Sequence, residues 1–328
     1  MYSSVYSTTV TRPITEGVFK SLERNLVHLH TDTDAYFRRE ILGHTQKLFD
    51  RLRGSMSALA RPNTRGEVSK NNLLPVAVVR SRYRKHRRSK LTQDPLAKSL
   101  DFLVWYVHFL EWELRSTSSY QRRITALRAL TIALRSGLDP RVPQKHLSKT
   151  AQGQIRWPFG VHIYNPRLIR SLLDLMLDPF DDVRSSSESI LEWCLDSFTV
   201  EEKKDIMLSL PKFISRAELM MLRTGRADQA DGLARAYSLF FSQCIEDFED
   251  IQISNDAGYL TKTKLVGRLV LQLEETIQVA RKDMSLAVDG RPVHGVFAAL
   301  RLVRLFKEFY AILTQLGISS TKTPSILH

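Results

Sequence analysis

The sequence predicts an all-α protein, a solenoid of helical hairpins joined by long basic loops, and three observations carry that prediction. Apolar residues recur at spacings of three and four through most of the 328 positions, the period of amphipathic helices, while the alternation expected of strands is nearly absent. Helix starts carry capping residues, and helix ends carry Gly or Pro. A hydrophobic content of 43% is enough to build a core.

Taken in order, Phe37, Ile41, Leu48, Leu52, Met56 and Leu59 are expected along the inward face of a helix that Asp34 caps and Pro62 stops. Residues 61–94, with Pro62, Gly66, Asn71, Asn72 and Pro75, read as a polar, basic loop or disordered insertion. After Pro95 a helix runs to about Arg115. Ser118 or Ser119 opens the next, whose Tyr120, Ile124, Leu127, Leu130 and Leu134 face inward until Gly137 ends it. A second long loop spans Asp139 to Tyr164. Asn165 as N-cap and Pro166 at the first helical position then begin a helix filled by Leu168, Leu172, Leu175 and Met176.

The junction Leu177-Asp178-Pro179-Phe180-Asp181-Asp182-Val183-Arg184 puts a Pro and acids between two amphipathic helices, the second continuing through Ile190, Leu191 and Cys194. It is similar to the turn inside HEAT-type repeats, where acids cap the second helix and the Arg reaches back to acidic groups of a neighbouring turn or repeat. An ordinary helical hairpin is the alternative, because a period of about 40–47 residues is not cleanly repeated elsewhere. Thr199-Val200-Glu201-Glu202 and Ser215-Arg216-Ala217-Glu218 read as capping boxes marking two further starts. Long helices are expected at about 227–248, 262–288 and 293–316. The predicted organisation is therefore N-terminal helices over 1–60, a basic flexible linker over 61–94, a HEAT/armadillo-like repeat region over 95–316 and a disordered tail over 317–328.

Charge is unevenly placed. The chain carries 48 Lys and Arg against 35 Asp and Glu, a net +13. Residues 1–100 hold 19 of those cations and 8 of the acids, so nearly all the excess is N-terminal. Arg80, Arg82, Arg84, Lys85, Arg87, Arg88 and Lys90 place seven cations in eleven residues, with Tyr83 and His86 interleaved. Self-repulsion keeps such a run extended, and its guanidinium groups suit phosphate oxygens, which points to a nucleic-acid-tracking arm. A nuclear targeting signal or a solvated loop has the same composition.

Local arrangements for catalysis are not found. The chain shows no GxGxxG after a strand, no GxxxxGK[ST] and no GxSxG, and no Cys or acid stands at zinc spacing from His28 or His30. No cofactor site is expected. His108 reads as a hydrogen-bonded core residue. Trp105 and Trp112, seven apart, read as core rather than a base-stacking platform. Trp157, in a loop beside Arg156, is either a hydrophobic anchor or a partner contact. Ser185, Ser186 and Ser187 read as polar surface at a helix start. Only Cys194 and Cys244 occur, which fits a reducing compartment; no segment has the run of apolar residues of a signal peptide or membrane span, and Glu16 and Glu23 speak against a mitochondrial leader.

The strings SLDFLVWYVHFLEWELRSTSSYQRRITALRAL, GLDPRVP and NPRLIRSLLDLMLDPFDDVRSSSESIL resemble the thyroid-adenoma-associated protein family. The matching features are Tyr120-Gln121-Arg122-Arg123 with Ala126-Leu127, Pro179 to Arg184, and Pro292-Val293-His294-Gly295 before Ala298-Ala299-Leu300-Arg301. These are large armadillo- and HEAT-like proteins whose fungal members are regulatory subunits of a tRNA 2'-O-methyltransferase acting in the anticodon loop. The family's members are several times longer, and the Arg-Arg-Ser-Ala-Gly-Leu-Pro motif of their more C-terminal domain is absent here, so the resemblance implies a fragment. It further implies a non-catalytic, cytoplasmic or nuclear scaffold that binds tRNA and serves a separate methyltransferase subunit, which holds the S-adenosylmethionine. Arg80 to Lys90, with Arg122 and Arg123, would contact the tRNA backbone. A protein–protein adaptor with no RNA contact is the second expectation.

Overall fold

The computed structural model describes residues 13–60, 95–153, 155–224 and 226–243, together with 77–78, 251–252, 259–260, 278 and 303. Eight α-helices occur among them: α1 (Glu16–His30), α2 (Ala35–Leu59), α3 (Pro95–Glu113), α4 (Tyr120–Arg135), α5 (Pro166–Leu175), α6 (Asp181–Ser197), α7 (Val200–Thr224) and α8 (Ala227–Gln243). The extended pairings among the described residues are two-residue bridges. β1 (Ala77–Val78) runs parallel to β2 (Val161–His162), and β3 (Ile251–Gln252) antiparallel to β4 (Tyr259–Leu260). β1 is an element inside the stretch read as a featureless linker. The predicted all-α class holds.

The chain divides into two compact units, 1–175 with 185–199, and 176–184 with 200–328. In the first unit α1 and α2 form a hairpin whose turn is fixed by its own side chains. Asp32 accepts from the Asp34 amide at 2.8 Å, and Asp34 caps α2 by accepting from the Tyr36 amide, also at 2.8 Å. The inward face of α2 is rotated from the one expected. Leu42, Thr45, Phe49, Leu52 and Met56 are buried, Phe37, Ile41 and Leu48 are half-buried, and Leu59 is exposed. Both sets have helical spacing, and it is the aromatic partners of Phe49 that choose between them: Tyr106 at 5.6 Å and Trp157 at 6.3 Å between ring centroids.

α3 carries the aromatic centre of this unit. Phe102 stacks on Phe19 of α1 at 4.6 Å, and Phe109 lies 5.0 Å from the His30 ring. Lys98 pairs with Glu16 at 2.9 Å, tying the starts of α3 and α1 together. α4 begins at the expected N-cap, Ser119, is buried from Arg123 to Leu127, and ends at Gly137, whose φ of 77° is the left-handed conformation that favours glycine.

The loop from Asp139 to Tyr164 is tied down at its root. Asp139 is fully buried and accepts from the Ile163 amide at 2.8 Å, from Arg141 Nη2 at 2.8 Å and from Arg141 Nε at 3.0 Å. Trp157 Nε1 donates to the Ser136 carbonyl at 2.9 Å, and its ring meets Phe49 and Phe159. Of its two readings, the structure selects the anchor. Asn165 caps α5 as expected, accepting from the Arg167 and Leu168 amides at 3.0 and 3.1 Å.

In the second unit α7 and α8 pack as a hairpin, burying Ile206, Phe213, Ile214 and Ala217 on one helix and Ala230, Leu233, Ala234 and Tyr237 on the other. Thr199 precedes the first residue of α7, as expected. Ser215 starts no helix: α7 is continuous from Val200 to Thr224. Phe213, Ile214 and Ala217 stay in phase with Ile206 across the supposed boundary, and Glu218 accepts from the Tyr237 hydroxyl instead of closing a capping box. The expected helix at about 227–248 is present over Ala227–Gln243, its remainder lying outside the described residues, as do those at 262–288 and 293–316 apart from 278 and 303.

The Pro- and Asp-rich junction of this unit is densely bonded among the described residues. Arg184, with none of its surface exposed, donates Nη1 to the Asp178 and Pro179 carbonyls at 2.7 and 3.0 Å. Its Nε reaches Asp231 of α8 at 2.9 Å, and Arg235 bridges Asp231 at 2.8 Å and Asp181 at 2.9 Å. A buried guanidinium is tolerated only with this degree of pairing. The reach-back of Arg184 to acids of its own turn and of a later helix is the one the repeat-like junction predicts.

Candidate functional site

The sequence-predicted cationic residues fall into two groups. Arg80, Arg82, Arg84, Lys85, Arg87, Arg88 and Lys90 lie outside the described residues. Arg122 and Arg123 lie on the first turn of α4, beside the end of α3, and the structure separates their roles.

Arg123 is only 7% exposed, and its Nη1 donates to the carbonyls of Ser116 and Ser118. Those bonds close the turn between α3 and α4. The structure thus places the Arg123 guanidinium inward, as a support of the turn. Arg122, on the neighbouring face, has a side chain 28% exposed, with its Cζ 5.6 Å from the centre of the Trp112 ring.

The core reading of Trp112 is corrected. It shares a helix side with Trp105, but the two meet different surroundings. Trp105 is half-buried and stacks on Phe109 at 5.4 Å with an interplanar angle of 7°. Seven residues on, that stripe has run off the end of the core, and Trp112 is 44% exposed. Arg115 places its Cζ 5.8 Å from the same ring, so two guanidinium groups, one from the turn and one from α4, hold one exposed indole. Each contact of this kind is worth about 0.5–1 kcal/mol at an exposed site.

Behind Arg122 lies Glu113. Its carboxylate is fully buried, neither oxygen has a hydrogen-bond partner, and the nearest cation is Arg122 Nε at 3.9 Å. Burial raises its pKa, against the opposing pull of Arg122. Two residues earlier Glu111 accepts from Asn165, the cap of α5, and faces His108 Nδ1 at 3.3 Å. His108 is hydrogen-bonded as expected but is a half-exposed residue, outside the core. Two carboxylates two residues apart therefore do different things: Glu111 ties α3 to α5, and Glu113 stands 3.9 Å from Arg122 Nε as its nearby acid.

A second cationic feature is a groove of about 610 Å³ bordered by the 139–164 loop, with Arg53, Arg141, Arg156 and Trp157 in its lining. Two of those guanidiniums are already committed. Arg53 bonds Asp50 at 2.7 Å and the Ser136 carbonyl at 3.1 Å, and Arg141 is paired with Asp139. Arg156 is exposed. His30 is buried against Phe109, and Ser187 of the expected polar surface is buried too. Among the described residues no group of three His, Cys, Asp or Glu converges as a metal site, and no helix is long and apolar enough to cross a membrane.

Residue spacing gave no signal that would have set Trp112 apart from Trp105. The available hint was local: Arg115 and Arg122 stand three and ten positions after it, across a Ser- and Thr-rich turn that cannot bury an indole.

A family model described as Trm732, TPR repeats, matches residues 4–185, which takes in both the arginine run and the Trp112 corner. The tRNA (32-2'-O)-methyltransferase regulator trm732 of Schizosaccharomyces pombe (strain 972 / ATCC 24843) is 25% identical over 302 residues, covering 90% of this chain and 17% of the relative. The chain thus spans a small part of that relative's length. No solved structure matches it.

Proposed function

The chain belongs to the Trm732 TPR-repeat family, and on that premise we propose that it is a non-catalytic regulatory scaffold in tRNA 2'-O-ribose methylation of the anticodon loop. In this reading it binds tRNA and positions it for a separate methyltransferase subunit, to which the S-adenosylmethionine site belongs. The observation that carries the proposal is the extent of the likeness: 90% of the chain aligns with a protein named as a regulator of a tRNA methyltransferase. The wider kinship with the thyroid-adenoma-associated family, the cytoplasmic setting and the status of a fragment are parts of the same proposal.

Physical chemistry supports the division of labour. A net charge of +13 concentrated in the first hundred residues favours a polyanion. Phosphate contacts orient a nucleic acid without reading its sequence, which is what a positioning subunit needs. Packed helical hairpins supply a rigid frame on which such contacts keep their spacing.

The test is tRNA binding by the purified chain across a salt series. Wild type is expected to bind with a steep salt dependence. The variant with Arg84, Lys85, Arg87 and Arg88 all changed to Gln is expected to lose about 3 from the slope of log K against log salt. An unchanged slope removes the arginine run from the interface. Absence of tRNA binding by the wild-type chain at low salt defeats the reading and leaves the protein–protein adaptor.

A further inference from the structure

We infer that Trp112, flanked by Arg115 and Arg122, is a stacking platform for an unpaired nucleobase of the RNA. The inference rests on the tRNA-binding reading above and deepens it by assigning a site on the folded helices, away from the arginine run.

Three features of the corner lead there. The indole is 44% exposed at the end of a helix whose other aromatics are packed inward, so nearly half of its surface meets water, with Arg115 and Arg122 beside the ring. Two guanidiniums approach that one ring, at 5.6 and 5.8 Å, so the indole sits in a locally cationic setting. Finally, the buried Glu113 lies 3.9 Å behind Arg122 Nε, on the side of the guanidinium away from solvent. An exposed aromatic beside two cations suits a ligand that brings a flat apolar face and negative charge together.

A nucleotide with its base unstacked has both. Its base covers the indole, and its flanking phosphates sit against Arg115 and Arg122, neutralising the pair. Base-paired RNA does not satisfy the site, because its bases are already stacked and their faces are closed. The platform therefore distinguishes a loop from a stem. That preference supplies what phosphate contacts lack, a way to register the loop of a tRNA on the scaffold. Arg122 and Arg115 are positioning residues for the phosphates, and Glu113 acts through Arg122.

The experiment compares the full chain with Trp112→Ala, Trp112→Phe and Arg122→Gln, using an RNA hairpin with an unpaired loop and a blunt duplex of equal phosphate number. Trp112 is on the surface, and thermal melting confirms that each variant folds. Trp112→Ala is expected to weaken hairpin binding about tenfold or more, with the salt slope and the duplex affinity unchanged, and Trp112→Phe to restore most of the loss. Arg122→Gln is expected to lower the salt slope by about 1 on the hairpin. If the wild-type chain binds RNA and Trp112→Ala binds the hairpin equally well, the platform is wrong while the tRNA reading stands. If the wild-type chain binds neither RNA, both are wrong. A Trp112→Ala variant that keeps its RNA affinity but loses the purified methyltransferase would overturn the inference by assigning the indole to a protein contact.

Discussion

Gly232 and Gly43 both lie inside helices, and the same substitution should push stability in opposite directions at the two positions. A Cβ built on Gly232 of α8 would lie 2.0 Å from the Met176 carbonyl oxygen, 2.9 Å from its carbon and 3.2 Å from Leu177 Cδ2. Carbon–oxygen contacts settle near 3.3 Å, so Ala requires a separation of about 1.3 Å between α8 and the 176–184 junction. The adjacent bonds resist it. Arg184 Nε to Asp231 and Arg235 Nη2 to Asp181 are both 2.9 Å, and opening them by that amount breaks them. Helix propensity favours Ala over Gly by about 1 kcal/mol. Against it stand about 1–3 kcal/mol for overpacking and several more if the buried ion network loosens. The expected net loss for Gly232→Ala is about 2–4 kcal/mol. Around Gly43 of α2 nothing lies within 4 Å of the built Cβ, so Gly43→Ala should gain about 0.5–1 kcal/mol. Urea denaturation followed by circular dichroism, with hydrogen exchange to report α7 and α8 separately, measures both. If Gly232→Ala leaves the midpoint unchanged or raises it, the close approach at Gly232 is refuted.

Two further outcomes concern buried polar groups. Burial lowers the His30 pKa from 6.5 to about 4, so the folded form resists a proton that the unfolded chain accepts. Stability is therefore full above pH 6.5 and falls by about 3 kcal/mol as the pH drops from 6.5 to 4; His30→Phe should flatten that stretch of a stability–pH curve, and an unaltered curve would count against it. Asp139→Asn removes the charge that Arg141 and the Ile163 amide share, with an expected loss of about 3 kcal/mol or more and faster proteolysis of the 139–164 loop. A wild-type cleavage rate would show that the loop is held elsewhere.

What sequence alone could determine was local. Asp34, Ser119 and Asn165 announced helix starts because a capping side chain bonds amides two or three residues away, within the span that neighbouring letters describe. Arg184 was legible for the same reason, since its carbonyl partners are five and six residues back and its acid at Asp181 only three. Charge, too, is a property of composition: the excess of 48 Lys and Arg over 35 Asp and Glu is legible without any fold.

Tertiary structure decided the rest, because helical spacing says which residues share a side and not which side faces protein. On α2 the choice fell to Phe49 through Tyr106 and Trp157, rings far away in the chain. On α3 it turned Trp105 toward Phe109 and left Trp112 beyond the core with Arg115 and Arg122. Arg122 and Arg123 are adjacent in sequence, yet a rotation of about 100° per residue sent one guanidinium outward and the other into the turn. The Ser215 box failed because burial of Phe213, Ile214 and Ala217 against the rest of its unit holds one helix through a start signal. Burial depends on what arrives from elsewhere in the chain, and only the folded arrangement records it.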